Sequence, residues 1–415
     1  MSRLAELIEQ LCPDGVEYRA LGDVGVFVRG GGLQKADFVE TGMPCVHYGQ
    51  IHTRFGISVS ETVTFVSEAQ FARLKHADYG DLLIATTSED DEAVGKATAW
   101  LGDGEVAISG DMFYYRHNLE PKYVSYFFAS SSFQDQKRPY LTGAKVRRIA
   151  DKGLSRIQIP VPPLEVQREI VRILDQFTTL EAELEAELTI RRRQHGFYRS
   201  ELLARESLQK RVGVLEYKTL GDLFETRNGY TPSKRDRTAW DRDDVPWFRM
   251  EDIRENGGIL DSALISISNS AVKAGRVFPA NSILVATSAT IGAHALVTVE
   301  HLSNQRFTSL QPKESACGLF DPYFLYYYCF LLDEYCLNHA NVSSFASVDM
   351  RAFRAFEFPI LPLDVQREIA SILDQFTGLE KELEAEIEAR RAQCTYYRDR
   401  LLSFPEKVVS VSDAS

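Results

Sequence analysis

The stretch PLEVQREIVRILDQFTTLEAELEAEL, residues 163–188, returns as PLDVQREIASILDQFTGLEKELEAEI at residues 362–387, identical at 20 of 26 positions. The offset of 199 is close to half of the 415-residue chain. Two further pairs keep it: EYRALGDV (17–24) with EYKTLGDL (216–223), and RRRQHGFYRSELL (191–203) with RRAQCTYYRDRLL (390–402). Solenoid repeats run to roughly 20–50 residues, so this is a duplication of domain size. Between the anchors only a skeleton survives. LLIATTSED (82–90) matches ILVATSATI (283–291), and YVSYFFAS (123–130) matches YFLYYYCF (323–330). The decoration differs: VRGGGLQKADF against RNGYTPSKRDRTAW, and CVHYGQI against WFRMEDI. The fixed parts read as architecture, and the variable parts as two versions of a reader.

The quoted stretch opens a long helix. No proline falls between Leu164 and Leu203, and PVPPL and PILPL punctuate the two starts. Apolar residues recur at Ile170, Ile173, Phe177, Leu180 and Leu184, and in the second copy at Ile369, Ile372, Phe376, Leu379 and Leu383. That spacing of 3–4 is a narrow coiled-coil stripe, with one stutter between Leu184 and Leu188. Roughly 40 residues rising 1.5 Å each make a rod of about 60 Å. Gly196 is its weak point, and the second copy has Thr395 there.

Each stripe needs a partner. Two similar units joined by similar helices close most simply about a pseudo-twofold axis, with the helices antiparallel. The alternatives are that each helix packs on its own globule, or pairs between chains. SRLAELIEQLC, apolar at Leu4, Leu7, Ile8 and Leu11, reads as a short helix expected beside the C-terminal one. The expected fold is α+β. Two mixed α/β globules, 17–163 and 216–362, are joined by helical segments 164–215 and 363–404, with a short N-terminal helix in 1–16 and a tail at 405–415.

Composition excludes more than it selects. Hydrophobic content of 44% and charged content of 26% suit a folded globular chain. No apolar run approaches the ~20 residues of a membrane span. The N-terminus lacks the apolar core of a signal peptide, so the expected compartment is the cytoplasm. None of the six cysteines forms CxxC, and Cys45 with His47 is too small a set for a metal. The net charge of −12 leaves only −2 on residues 17–163 and −3 on 217–362, so partner subunits are expected to neutralise much of any bound phosphate.

Catalytic signatures are missing. DPYF (321–324) lacks the second proline of the loop that holds a target base in DNA amino-methyltransferases, and no S-adenosylmethionine loop accompanies it. RGGG (29–32) is not followed by GK[ST], so it is no phosphate loop. The acidic run Glu89–Glu92 reads as a solvated loop. No catalytic or metal-ligating residue is expected.

Two variable globules, two helices opening PPLxxQREI and PLxxQREI, and a period near half the length resemble the specificity subunit of type I DNA restriction–modification enzymes. The resemblance covers essentially the whole chain. It implies two target recognition domains, each reading one half of a split, asymmetric site on double-stranded DNA. It implies helices that set the gap between half-sites, and two docked methyltransferase subunits that use S-adenosylmethionine. It also implies restriction subunits that cut with ATP and Mg, and no cofactor on this chain. A tandem-domain coiled-coil scaffold that binds no DNA is the other reading, and the acidic charge leans that way. A fused modification–specificity enzyme lacks its motifs here, and a copy that no longer assembles would look the same in sequence.

Base readout needs hydrogen-bonding side chains on loops or strand ends. In the first block these are Arg29, Gln34, Lys35, His47, Tyr48, Gln50, Thr86, Thr87, Ser88, Lys145, Arg147 and Arg148. In the second they are Arg227, Tyr230, Thr231, Ser233, Lys234, Arg249, Ser288, Thr290, Gln305, Arg306, Ser343 and Ser344. Trp247 reads as core rather than a stacking platform.

Overall fold

Leu82, Leu83, Ile84 and Ala85 are all fully buried, but they belong to two different cores. Leu82 and Ile84 face one cluster with Tyr115 and Phe127, while Leu83 and Ala85 face another with Trp100 and Met112. Side chains alternate along a strand, so an unbroken apolar run is a strand covered on both faces. Ile283 and Val285 against Leu284 and Ala286 repeat the division in the second copy.

The computed structural model describes residues 3–273, 276–341 and 346–407. Two compact units emerge: residues 1–186 with 385–415, and residues 187–384. In the first, a five-stranded sheet runs Gly25–Arg29, Met112–His117, Leu82–Ala85, Ala97–Trp100, Ser58–Val59. In the second, the order is Phe224–Asn228, Phe307–Pro312, Ser282–Ala286, His294–Val297, Ile259–Leu260. Both sheets are antiparallel except for the last pair. A helix lies against each: Pro121–Phe128 in one, and Pro322–Asn338 in the other, capped by the Asp321 carboxylate. The second sheets differ. The first unit has four strands (Thr64–Val66, Met43–Val46, Val106–Ile108, Lys75–Ala77), and the second has three (Ser266–Ile267, Val245–Phe248, Leu302–Ser303).

The duplicated stretch forms two helices, Leu164–Leu203 and Leu363–Leu401. The central segment does not stay one helix to residue 215: a separate helix, Arg205–Val212, follows. The start of each long helix packs on its own globule, through Val166, Ile170, Val171 and Leu174 in one unit and Ile369, Ala370 and Leu373 in the other. Beyond that point the helices meet each other. In the first unit Phe177 stacks on Tyr397, ring centroids 5.3 Å apart, and Arg391 bonds Glu181 at 2.6 Å and also Glu185. In the second, Phe376 stacks on Tyr198 at 5.3 Å, and Arg192 pairs with Glu384. Numbers rise along one helix as they fall along the other, so the pair runs antiparallel within each unit. Ile173 and Ile372 are partly buried, as are Leu184 and Leu383. Leu180 and Leu379 are exposed and depart from the expected stripe. The architecture is thus mixed α+β with a long helix pair.

Chain ends also meet within the first unit. Leu4 enters the core that holds Leu402, the Val16 N–H donates to the Pro405 carbonyl at 2.9 Å, and Tyr18 Oη donates to the Phe404 carbonyl at 3.0 Å.

Candidate nucleic-acid interface

The glycine loop of each unit is fixed by close backbone approach. A Cβ on Gly30 would overlap the Ser109 carbonyl oxygen, and one on Gly229, 199 residues on, the Ser303 carbonyl oxygen. Only glycine fits both places. The residues flanking these glycines are free to differ, which is where the two units diverge.

In the first unit the structure draws three distant segments around one cleft of about 470 Å³: Arg29 from the sheet edge, Thr86 and Thr87 from the segment after Ala85, and Arg148 beside Thr142. Two-residue strands Thr87–Ser88 and Arg147–Arg148 pair antiparallel and hold the walls. Arg29 Nε donates to the Gly110 carbonyl at 3.1 Å and Thr86 Oγ1 to the Asp111 carbonyl at 2.8 Å. The Thr87 hydroxyl is buried and has no partner among the described residues. Arg148 is exposed, whereas Arg147 is committed to Asp91 and the Gly143 carbonyl. Ser88 accepts the Asp90 N–H at 3.2 Å, and Lys145 is exposed.

His47, Tyr48 and Gln50 lie elsewhere, at the start of helix Tyr48–Thr53. Gln50 is spent internally, accepting the His47 N–H at 3.0 Å and donating to Thr64 Oγ1 at 3.0 Å. His47 meets Tyr48 with centroids 4.5 Å apart. Burial, then the nearby Lys35 charge, lowers its pKa, so it is a neutral donor–acceptor at pH 7. Gln34 and Lys35 are exposed on the preceding turn.

In the second unit Thr231, Lys234, Arg249, Gln305 and Arg306 converge on a cavity of about 620 Å³ with Trp240 and Trp247. Thr231 Oγ1 donates to Gln305 Oε1 at 2.5 Å. Arg249 is placed by Asp252, a fully buried carboxylate that accepts the Arg249 and Leu264 N–H groups at 2.7 Å each. Tyr230 sits behind the loop, its hydroxyl donating to the Ala271 carbonyl at 2.7 Å. Ser233 is exposed and accepts the Arg235 N–H. Arg227 lies apart, over the Phe278 ring at 4.7 Å. Ser288 and Thr290 flank Ala289, a non-glycine residue at φ +64°. Ser343 and Ser344 lie outside the described residues. Trp247 is buried, as expected for core, yet also lines the cavity. Sequence reasoning missed Trp240 and Arg237. Their place in the variable loop was the available signal.

Among the described residues no group of three or more His, Cys, Asp or Glu could hold a metal ion, and no helix is long and apolar enough to cross a membrane.

A family profile described as type I restriction modification DNA specificity domain matches residues 13–190 and again 215–389. The chain belongs to this family, the specificity subunits of type I restriction–modification systems. It is similar to the type I restriction enzyme EcoprrI specificity subunit of Escherichia coli, 53% identical over 221 residues, 51% of this chain and 55% of that one. That match spans little more than half of the relative. The EcoR124I/EcoR124II specificity subunit of Escherichia coli is 33% identical over 306 residues, 69% of this chain and 71% of its own. Two solved structures share the fold. One is the S subunit of a type I restriction–modification system from M. genitalium, at TM-score 0.51 and 13% identity over 94% of this chain and 96% of that chain. The other comes from work on complex assembly and conformational transition of the type I system, at TM-score 0.63 and 19% identity over 94% and 98%.

Proposed function

We propose that each globular region, 17–163 and 216–362, is a target recognition domain reading one half of a bipartite, asymmetric DNA site. The paired helices act as an antiparallel coiled-coil spacer about a pseudo-twofold axis. They set the gap and dock two methyltransferase subunits, which restriction subunits join. In this reading the chain is non-catalytic. S-adenosylmethionine serves the methyltransferase partners, and ATP with Mg the restriction partners.

The observation that carries the reading is a contrast. Gln167 and Gln366, 199 residues apart, each accept the N–H of the residue that caps their globule's helix, and Tyr126 on Asp175 recurs as Tyr327 on Asp374, whereas the loops and clefts are built from different residues. A scaffold needs identical anchors, and two different half-sites need different readers. Arg29, Arg148 and the threonines in one unit, and Arg249, Gln305 and Arg306 in the other, are the residue types that contact phosphates and base edges.

Base-resolution mapping of N6-methyladenine tests it, in cells expressing this chain with its cognate methyltransferase subunit. The expected result is a split motif of fixed gap that vanishes without the chain. An assembled complex that adds no methylation would return the reading to a scaffold that binds no DNA. Removing whole turns from both helices should shorten the gap and leave both half-sites unchanged.

A further inference from the structure

The cavity of the second unit is larger and more aromatic than a base edge requires. Its floor is Trp240 against Trp247, centroids 5.2 Å apart and planes at 85°. Both indole N–H groups are already used, Trp240 on the Ser233 carbonyl at 3.1 Å and Trp247 on the Tyr230 carbonyl at 2.9 Å. Trp247 is 5% exposed and Trp240 half-buried, so the cavity offers chiefly the Trp240 ring face, backed by Trp247, and no indole hydrogen bond. Around them stand Lys234, Arg237 and Arg306, all exposed and none in an ion pair among the described residues. Arg249 adds a fourth cation. Its guanidinium carbon is 5.8 Å from the Trp247 ring, and its buried Nε has no hydrogen-bond partner among the described residues, with Glu251 at 3.9 Å. Asp241 and Glu251 are the acidic lining residues, so cations outnumber anions.

Such a site asks for a flat aromatic group carrying an anion. A base inside a duplex has both faces covered by its neighbours and presents only an edge. A base out of the stack presents a face, which stacks on aromatic side chains. About 620 Å³ is in the range of small-ligand pockets.

We propose that this cavity binds one unstacked nucleotide. Its base lies on the indole floor, Arg249 meets the base edge, and Lys234, Arg237 and Arg306 hold the phosphate. The nucleotide belongs to a DNA strand or is free in solution. The first source rests on the DNA-reading role above, and the second does not.

The chain's own fluorescence tests this. It has three tryptophans, and Trp100 lies in the other unit, so Trp100→Phe leaves the cavity indoles as reporters. The full chain is titrated with a short single-stranded oligonucleotide and separately with a deoxynucleoside monophosphate. Saturable quenching is expected, weakened at least about tenfold when Lys234, Arg237 and Arg306 are all alanine and lessened by added salt. Quenching by the oligonucleotide at far lower nucleotide concentration assigns the site to DNA. Equal quenching by the monophosphate assigns it to a free nucleotide. Absence of quenching by either reagent, or quenching that survives the triple substitution, overturns the proposal. A split methylation motif that persists alongside that result leaves the recognition role standing, so the two failures are separable.

Discussion

The side-chain carbonyl of Gln167 accepts the Glu120 N–H at 2.9 Å, while its amide donates to the Pro162 carbonyl at 2.7 Å. At the same offset, Gln366 accepts the Asp321 N–H at 2.8 Å and donates to the Leu361 and Leu319 carbonyls at 2.8 Å each. Both glutamines are buried. Each ties the first turn of a long helix to the cap of the helix lying on its own sheet. Neighbouring bonds repeat as well: Tyr126 Oη to Asp175 at 2.8 Å and Tyr327 Oη to Asp374 at 2.7 Å. The glutamine of the QREI motif is thus a fastener between helix and globule.

Gln167→Leu and Gln366→Leu each strand a half-buried N–H and at least one buried carbonyl. Each should cost about 1–3 kcal/mol per group left without a partner, read as a lower urea midpoint for the unit concerned. An unchanged midpoint would mean that water replaces the amide.

The helix pair should depend on its rings more than on its charges. Phe177→Ala removes the face on which Tyr397 stacks, and an aromatic pair contributes roughly 0.5–1.5 kcal/mol beyond area burial. Arg391 is half exposed, so Arg391→Ala should cost under about 1 kcal/mol and be masked by salt. Urea melts at low and high ionic strength separate the two.

Gly196 and Gly378 sit inside the long helices, and a Cβ at either would meet nothing within 4 Å. Gly196→Ala and Gly378→Ala should each stabilise by about 0.5–1 kcal/mol. Thermal unfolding of single and double variants checks the gain and its additivity.

His301 is enclosed between Phe248 and Phe278, centroids 5.5 Å from each, with Nδ1 facing the Val299 carbonyl at 2.8 Å. Burial pushes its pKa down from 6.5 to about 4. The unfolded chain therefore takes up the proton first, and stability is lost as pH falls from about 6.5 toward about 4. His301→Phe should flatten the urea midpoint of the second unit across that window.

Arg147 and Arg148 are adjacent yet should behave differently. Arg148→Ala should weaken duplex binding and reduce the salt slope by about one. Arg147→Ala frees Asp91 and should loosen the loop that carries it. Binding isotherms at several salt concentrations, with proteolysis of that loop, distinguish them.

The long helices were legible in sequence because an uninterrupted stretch without proline has few alternatives. The first starts where expected, at Leu164, but ends at Leu203, short of residue 215, with the separate helix Arg205–Val212 following. Their packing was less legible. The stripe left open whether each helix packs on its own globule or on the other helix, and the structure uses both: Val166 to Leu174 pack on the globule and Phe177 on the other long helix. A periodicity reports burial but not which neighbour provides it, so Leu180 fell on neither surface. The candidate interface was legible by segment and not by assembly. Thr231 and Gln305 are 74 residues apart and hydrogen-bonded, and pairing of that kind is set by strand order, which local pattern does not encode.

The first unit borrows residues 385–407 from the far end of the chain. Asp399 receives the Ser131 N–H at 3.0 Å, and Phe404 and Pro405 close on Tyr18 and Val16. The second unit is a single continuous segment. During synthesis, which proceeds from the N-terminus, the later unit can therefore be finished earlier. The N-terminal globule must wait on the ribosome with the face meant for the last helix uncovered. Truncation before residue 385 should leave a soundly folded second unit beside an aggregation-prone first one, although the first unit's sheet was translated in full.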